Sequence, residues 1–208
     1  MDKYVLDTNL FFNMAPGLGL GKKTEEVMKK ATTAMKTMVK EKKAEFFMPP
    51  RVVDELMSFF DDKSQAFLKD FLSVIAVKSP HVSSVEFPAA VFYNLISDIR
   101  DRSYKGLTIA EEELKKAAKG LAGSQVKDSK QDFEKAVGAH VKTLRDRYRN
   151  ATRTGFLDSV ADLDLIVLAK EQDAYLVSSD EGVIKWGRIF GIREMDATVF
   201  GKKLTDHL

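Results

Sequence analysis

Aspartates in two parts of the sequence have the positions that metal-ion chemistry requires. Asp7 follows the apolar run at residues 4–6, and Asp180 follows a second apolar run near the other end of the chain. Both runs are typical of buried strands, and open parallel sheets collect their ligands at the carboxyl ends of strands. Asp158 and Asp162 are four residues apart, so a helix would place them on one face, one turn apart.

These carboxylates would repel one another if they converged, because each like charge nearby raises a pKa and destabilises the fold. A divalent cation would neutralise them, and two ions roughly 4 Å apart could activate water and stabilise the leaving oxygen of a phosphodiester. The sequence has no cysteine and only three histidines, so we expect oxygen ligands and a hard ion, Mg²⁺ or Mn²⁺. The candidate catalytic and metal-binding residues are Asp7, Asp158, Asp162 and Asp180.

Each aspartate taken singly also has an ordinary structural explanation. Asp180 could be a turn residue or a helix cap, and Asp158 could simply favour the amino terminus of a helix. Asp164 would lie about 200° around the helix from Asp162, so its side chain should point elsewhere. The prediction of a metal site therefore depends on the joint pattern.

Alternating strand and helix patterns at both ends of the chain predict an α/β fold, with a parallel sheet covered by helices on both faces. Strands are predicted at residues 4–7, 45–48, 72–77, 174–178 and 192–195. Helices are predicted at residues 24–43, 51–60, 64–71, 157–171, 181–190 and 197–204.

Residues 80–153 show no strand pattern, so we predict that they form a helical insertion between the two parts of an α/β domain, 1–79 and 154–208. Thr108 and Glu111 have the spacing of a capping box, which predicts the start of a new helix. The insertion should therefore contain helices at residues 88–104, 108–120 and 132–152.

The predicted helix at 132–152 has one apolar face and one basic face. The apolar face carries Phe133, Val137, Val141, Leu144 and Tyr148. The basic face carries Lys135, Lys142, Arg145, Arg149 and Arg153. A charged helix face is most often simply solvated, but Asp146 is the only acid between Lys142 and Arg153. We expect the basic face to contact RNA phosphates, and the apolar face to pack on a neighbouring inserted helix or another subunit.

The remaining sequence features set broad bounds. The net charge of +2 is not diagnostic of a partner. The amino terminus lacks a secretory signal pattern, and no apolar run approaches the roughly 18 residues that a membrane span needs. We therefore expect a cytoplasmic protein that has no contact with a membrane.

Three segments resemble the motifs of PIN domains in their usual order. Residues 5–9 resemble the opening motif, residues 53–56 the middle motif with its helical glutamate, and Asp162 together with residues 176–180 the closing motifs. Residues 7–13, 158–164 and 178–182 also resemble the minimal protein-only ribonuclease P family, which includes the Aquifex enzyme and archaeal relatives named RNA ligase partners. This likeness covers nearly the whole chain, including the helical insertion.

The resemblance implies a metal-dependent endoribonuclease that removes the 5′ leader of precursor tRNA with Mg²⁺ or Mn²⁺. It also implies a large homo-oligomer assembled through the inserted helices. The family's metal aspartates fall on Asp7, Asp158, Asp162 and Asp180. Glu55 follows from the general PIN pattern, and the sequence leaves open whether Glu55 and Asp164 also contact the metal.

Three alternative functions fit the sequence less well. A phosphatase with an aspartyl nucleophile would need Asp-x-Asp after the first strand, but Asn9 occupies the third position. A PIN-domain ribonuclease could act on another RNA, as the toxin ribonucleases do, although these are shorter and lack a long helical insertion. A non-catalytic RNA-binding partner of an RNA ligase is the third possibility, against which the full set of four aspartates argues.

Overall fold

A computed structural model describes residues 1–12, 17–121, 130–157 and 159–208 of the chain, except the side chains of Leu121, Phe133 and Ala136. Within these residues, five strands and nine helices follow one another along the chain. The strands are β1 (Asp2–Leu6), β2 (Ala44–Met48), β3 (Ile75–Val77), β4 (Tyr175–Ser178) and β5 (Glu194–Asp196). The helices are α1 (Asn9–Phe12), α2 (Thr24–Lys40), α3 (Pro50–Ser58), α4 (Ala66–Leu72), α5 (Ala90–Leu121), α6 (Lys130–Arg153), α7 (Val160–Gln172), α8 (Glu181–Ile189) and α9 (Ala197–Thr205).

The strands form a single parallel sheet in the order β3-β2-β1-β4-β5. In the register, Val5 of β1 lies beside Phe47 of β2 on one side and Leu176 of β4 on the other. The strand order reverses at β1, so the carboxyl ends of β1 and β4 form the topological switch point where such sheets bind ligands. The predicted α/β fold with a parallel sheet and flanking helices is confirmed.

The core of the sheet domain lies around β1 and α7. Tyr4, Val5 and Leu6 are fully buried, as expected for a central strand with helices on both faces. In α7, every residue from Asp164 to Ala169 is buried. A helix that is buried on all sides reads as a continuous apolar run, which explains why residues 165–169 have no polar face.

Helices α5 and α1 differ from the sequence predictions. The helices predicted at residues 88–104 and 108–120 are one helix, α5, that runs from Ala90 to Leu121. The hydroxyl of Thr108 donates to the carbonyl of Tyr104 at 3.0 Å inside this helix, so Thr108 is not a cap. The sequence also predicted a loop directly after Asp7, where the structure has the short helix α1.

The chain divides into two compact units, one formed by Met1–Pro88 with Leu157–Leu208 and the other by Ala89–Phe156. The second unit contains α5 and α6. Arg147 of α6 forms ion pairs with Glu112 at 2.7 Å and Glu113 at 2.6 Å, both on α5. Between these helices, the ring of Tyr148 lies against Gly106, where a Cβ atom would come within 2.7 Å of the ring. Gly106 thus permits close packing of the two helices.

None of the helices in the described part of the chain is both long enough and apolar enough to cross a membrane.

Glu171 of α7 connects this helix to the segment that follows β3. Its carboxylate accepts a hydrogen bond from the backbone N–H of His81 at 2.8 Å, contacts the His81 ring, and pairs with Lys78 at 2.7 Å. Burial by itself would raise the pKa of Glu171, but Lys78 and His81 together lower it to about 2. The ionised carboxylate therefore stabilises the fold.

The E171Q variant should be less stable than the wild type by about 1 kcal/mol at pH 7, because glutamine retains the shape but not the charge. The folded-state pKa lies below the unfolded value near 4.5, so this stabilisation is present above pH 4.5 and is lost as the pH falls toward 2. Urea unfolding of both proteins between pH 3 and pH 7 measures the difference. A difference that stays constant over this range would contradict the prediction.

Candidate active site

Asp7 lies at the carboxyl end of β1, where the chain turns into α1. Its backbone N–H donates to the carbonyl of Val177 at 3.1 Å, which extends the pairing of β1 with β4 by one residue. The turn into α1 is closed by hydrogen bonds from the N–H of Leu10 to the Asp7 carbonyl and from the N–H of Phe11 to the Thr8 carbonyl. The side chain of Asp7 is consequently held at the switch point and is only 3% exposed.

The aromatic rings of α1 anchor this turn from the other side. Phe11 packs edge-on against Phe71 of α4 with ring centroids 5.0 Å apart. Phe12 packs on Phe59, at the end of α3, with centroids 4.2 Å apart. Residues 8–12 therefore form a fixed element of the domain.

Both carboxylate oxygens of Asp7 accept hydrogen bonds. Oδ1 accepts from the Thr8 hydroxyl and from the backbone N–H of Asn9, each at 3.3 Å, and Oδ2 accepts from Asn9 Nδ2 at 3.4 Å and from the hydroxyl of Ser178. Burial raises the pKa of Asp7 above its ordinary value, and the negative charge of Asp180 raises it further. The hydrogen bonds from Ser178 and Asn9 act in the opposite direction. This carboxylate is thus buried next to another negative charge.

Asp180 is connected to Asp7 through Ser178. The fully buried Ser178 donates its hydroxyl hydrogen to Asp7 and accepts a hydrogen bond from the backbone N–H of Asp180 at 2.9 Å. Asp180 also caps α8, because its Oδ1 accepts from the N–H groups of Gly182 at 2.6 Å and Val183 at 3.1 Å. Asp180 is therefore a helix cap and also a close neighbour of the buried carboxylate.

Ser178 was not among the predicted site residues. It lies two residues before Asp180 at the end of an apolar strand, and this spacing was the available signal. A buried serine at a strand end needs a hydrogen-bond partner, and the carboxylate at the end of the adjacent strand supplies one.

Asp162 lies in the first turn of α7, which packs on β1. The side chain of Ser159 caps the helix and accepts a hydrogen bond from the backbone N–H of Asp162 at 3.0 Å. The prediction that this helix begins at Leu157 is wrong, since α7 begins at Val160. The candidate Asp158 lies outside the described residues.

Asp164 and Glu55, the two further candidates for metal binding, lie in different environments. Asp164 is buried and forms an ion pair with Arg51 of α3 at 2.6 Å. Glu55 lies on α3 with an exposed side chain. The structure thus places the cationic side chain of Arg51 beside Asp164. Arg51 was not predicted from the sequence as a residue of the site. An acid that precedes a wholly apolar helical run was the signal that a cationic partner should be sought.

The donors at this site are carboxylate oxygens, which are the ligands that Mg²⁺ and Mn²⁺ prefer. A cation would also relieve the repulsion between Asp7 and Asp180. Among the described residues, which do not include Asp158, no group of three or more acidic or histidine side chains is arranged to hold a metal ion. In chemical type the residues therefore fit a hard cation.

The basic residues predicted to bind RNA are all exposed on α6. Lys135, Lys142, Arg145, Arg149 and Arg153 each point to solvent. None of these five forms an ion pair with another described residue, in contrast to Arg147, which is paired with α5. Three of the five, Arg145, Arg149 and Arg153, line a groove of the helical unit. The other residues that line this groove are Ala110, Leu144 and Tyr148. The groove therefore combines unpaired positive charge with an aromatic ring.

Comparison with known families agrees with this geometry. A family model described as a PINc domain ribonuclease matches residues 3–208 of the chain. The chain belongs to the PINc domain ribonuclease family. The match includes the strands that precede Asp7 and Asp180 as well as the helical unit. Membership of this family makes the chain an endoribonuclease, as the motifs in the sequence predicted.

Curated relatives of this PINc domain ribonuclease carry a more specific name. A protein of Pyrococcus horikoshii called RNA-free ribonuclease P is 36% identical over 206 residues, which cover 99% of this chain and 93% of the relative. Proteins of the same name from Thermodesulfovibrio yellowstonii and Methanocaldococcus jannaschii are 35% and 30% identical, over 91% and 99% of this chain and 87% and 92% of the relatives. The predicted resemblance to protein-only ribonuclease P is therefore confirmed.

Proposed function

We propose that this PINc domain ribonuclease removes the 5′ leader of precursor tRNA and requires Mg²⁺ or Mn²⁺. The observation that carries the proposal is the connection of Asp7 to Asp180 through Ser178 at the switch point of the sheet. The names of the relatives support tRNA as the substrate, and the carboxylate donors support a hard divalent ion.

In this proposal, Asp7, Asp158, Asp162 and Asp180 hold one or two cations. A bound divalent cation supplies charge neutralisation at the phosphate and activation of water. Ser178 holds the Asp7 carboxylate in one orientation, and Asp180 maintains its own position by capping α8. In the reaction, the oxygen of water bonds to phosphorus and the bond from phosphorus to the 3′ oxygen of the leader breaks. The tRNA keeps a 5′ phosphate, and the leader leaves with a 3′ hydroxyl.

The basic face of α6 is assigned to the body of the RNA. Its five exposed cations lie on one helix without acidic partners among the described residues, which is the pattern expected of a surface that contacts phosphates. Contacts of this kind recognise the shape and backbone of an RNA helix and not its sequence.

The R149E variant should bind precursor tRNA about tenfold more weakly than the wild type near 0.1 M salt, because it loses one phosphate contact and adds a repulsive charge. The deficit should shrink as the salt concentration rises, since fewer counterions are released on binding. Filter binding at a series of salt concentrations, with EDTA present, measures both effects. K202E makes the same charge change on α9 and should bind like the wild type; equal losses in both variants would contradict a specific role for α6.

Self-association through the helical unit is also part of the proposal. The unit leaves many large apolar side chains exposed on α5, for example Tyr93 at 76%, Leu114 at 72% and Ile96 at 66%. On α6, Val141 and Tyr148 are 40% and 49% exposed, so the predicted apolar face is only partly covered. Apolar surface of this extent favours burial against other copies of the chain, and this supports a large homo-oligomer.

The function is tested by incubating the purified protein with precursor tRNA and either Mg²⁺ or Mn²⁺, next to a control with EDTA. A single cut at the mature 5′ end that is absent with EDTA is the expected result. Scattered cuts would retain the ribonuclease and reject the tRNA specificity. Binding without any cleavage would favour a non-catalytic RNA-binding role.

A further inference from the structure

A positively charged side chain lies at the same edge of the sheet as the acidic residues. β2 is the parallel neighbour of β1, with Phe47 beside Val5, so the residues that follow β2 and β1 emerge at the same edge. Arg51 is the second residue of α3, directly after this point. Its position in the topology therefore places it near the end of β1, where Asp7 lies.

The guanidinium of Arg51 is held by a buried carboxylate. Arg51 Nη1 lies 2.6 Å from Asp164 Oδ2, and the side chains are 62% and 6% exposed, respectively. Asp164 is two residues beyond Asp162 on α7, and α7 packs on both α3 and β1. The ion pair consequently fixes one nitrogen of Arg51 close to the start of α7.

Most of the hydrogen-bonding capacity of Arg51 is still available to a ligand. A guanidinium carries five N–H donors in a planar fork, and the contact with Asp164 engages one nitrogen. Had Arg51 served only to neutralise Asp164, burial of the pair would have been expected, but most of the arginine is exposed. A guanidinium that is held by a carboxylate through one nitrogen, and whose other N–H groups are accessible, is well suited to bind a phosphate.

We propose that Arg51 binds a phosphate of the RNA strand at the cleavage site and that Asp164 is the residue that positions it. A site built from several carboxylates repels a polyanion, and a fixed cation at its edge offsets part of that repulsion. This assignment gives Asp164 a role other than metal binding. It rests on the proposed ribonuclease function, because it requires an RNA strand at the switch point.

The test compares R51Q and R51K with R188Q as the matched control. Glutamine at position 51 loses the charge but keeps an amide donor, and lysine keeps the charge but loses the planar fork. Arg188 is 67% exposed and pairs with Glu194, the first residue of β5. The amino ends of the strands lie on the side of the sheet opposite the carboxyl ends, where the acids lie. Arg188 therefore reports the effect of removing an exposed, paired arginine away from the acids.

Two measurements are made on each variant. The first is the affinity for precursor tRNA in EDTA over a range of salt concentrations. R51Q should reduce the slope of log K against log salt by roughly 0.7 to 0.9, which is the contribution of one phosphate contact. The second is the single-turnover cleavage rate with saturating enzyme and Mg²⁺, which should fall about 10-fold to 100-fold in R51Q and recover in part in R51K. R188Q should match the wild type in both measurements.

A wild-type salt slope in R51Q would overturn the proposal, whatever happens to the rate, because a purely structural ion pair does not change counterion release. Equal rate losses in R51Q and R51K, together with lower melting temperatures, would likewise assign the pair to packing of α3 on α7. The binding series needs no cleavage. A wild-type protein that binds precursor tRNA without cutting it would therefore count against the proposed function. The salt dependence of binding by R51Q would still decide whether Arg51 contacts a phosphate.

Discussion

Replacement of Asp7 by asparagine should reduce cleavage of precursor tRNA by about 1,000-fold or more while RNA binding stays near the wild-type level. Asparagine has the same size, and its amide oxygen can accept the hydrogen bond from Ser178, so the fold should be retained. The variant loses the negative charge that would hold the proposed divalent ion at the end of β1. The basic face of α6, which is the proposed RNA-binding surface, is unchanged, so binding should be preserved.

The matched control for this prediction is D2N, the same substitution at the opposite end of the same strand. Asp2 is exposed and accepts hydrogen bonds from Tyr4 at 2.8 Å and Lys203 at 3.2 Å. D2N should cut at the wild-type rate. Single-turnover rates and filter binding on all three proteins make the comparison, and a D7N protein within tenfold of the wild-type rate would reject the active-site assignment.

The G201A variant should lose about 3 kcal/mol of unfolding free energy or more, which corresponds to a melting temperature lower by roughly 10 °C in a protein of this size. A Cβ atom on Gly201 would lie 1.9 Å from the carbonyl oxygen of Leu18 and 2.7 Å from its carbonyl carbon. Leu18 and Leu20 are buried, so the glycine-rich segment at residues 17–21 is packed in place. The clash is with backbone and cannot be relieved by a side-chain rotation.

G138A is the control for this substitution. Gly138 lies within α6, and a Cβ atom there would meet nothing within 4 Å. The exchange should leave stability unchanged or raise it by up to about 1 kcal/mol, since alanine favours the helix. Thermal and urea unfolding of both variants provide the measurement. Similar melting temperatures for G201A and the wild type would show that α9 and residues 17–21 separate easily.

The sequence was sufficient to predict the sheet because most of its strands contain short apolar runs bounded by polar residues or proline, as at residues 45–50. The break predicted within α5 was wrong for a local reason. Thr108 and Glu111 have the spacing of a capping box, but a threonine in the interior of a helix can instead donate to the carbonyl four residues before it. Spacing alone does not distinguish these two arrangements.

The same limit applies to the site. Asp7 and Asp180 could be predicted because each follows an apolar strand, and parallel strands bring their carboxyl ends to one edge. The hydrogen bond from Ser178 to Asp7 joins residues 171 apart, and the ion pair of Arg51 with Asp164 joins residues 113 apart. Partners at these separations depend on strand order and helix packing, which no local pattern encodes.

The order of the strands also bears on when the proposed site can be completed during synthesis of the chain. The ribosome makes β1 and Asp7 well before β4, which is the neighbour of β1 at the switch point. A nascent chain that still lacks β4 has neither Ser178 nor Asp180, and its first aspartate has no partner strand on that side. With the proposed roles of Asp7 and Asp180, such a nascent chain should not cut RNA before β4 and the residues that follow it have been made.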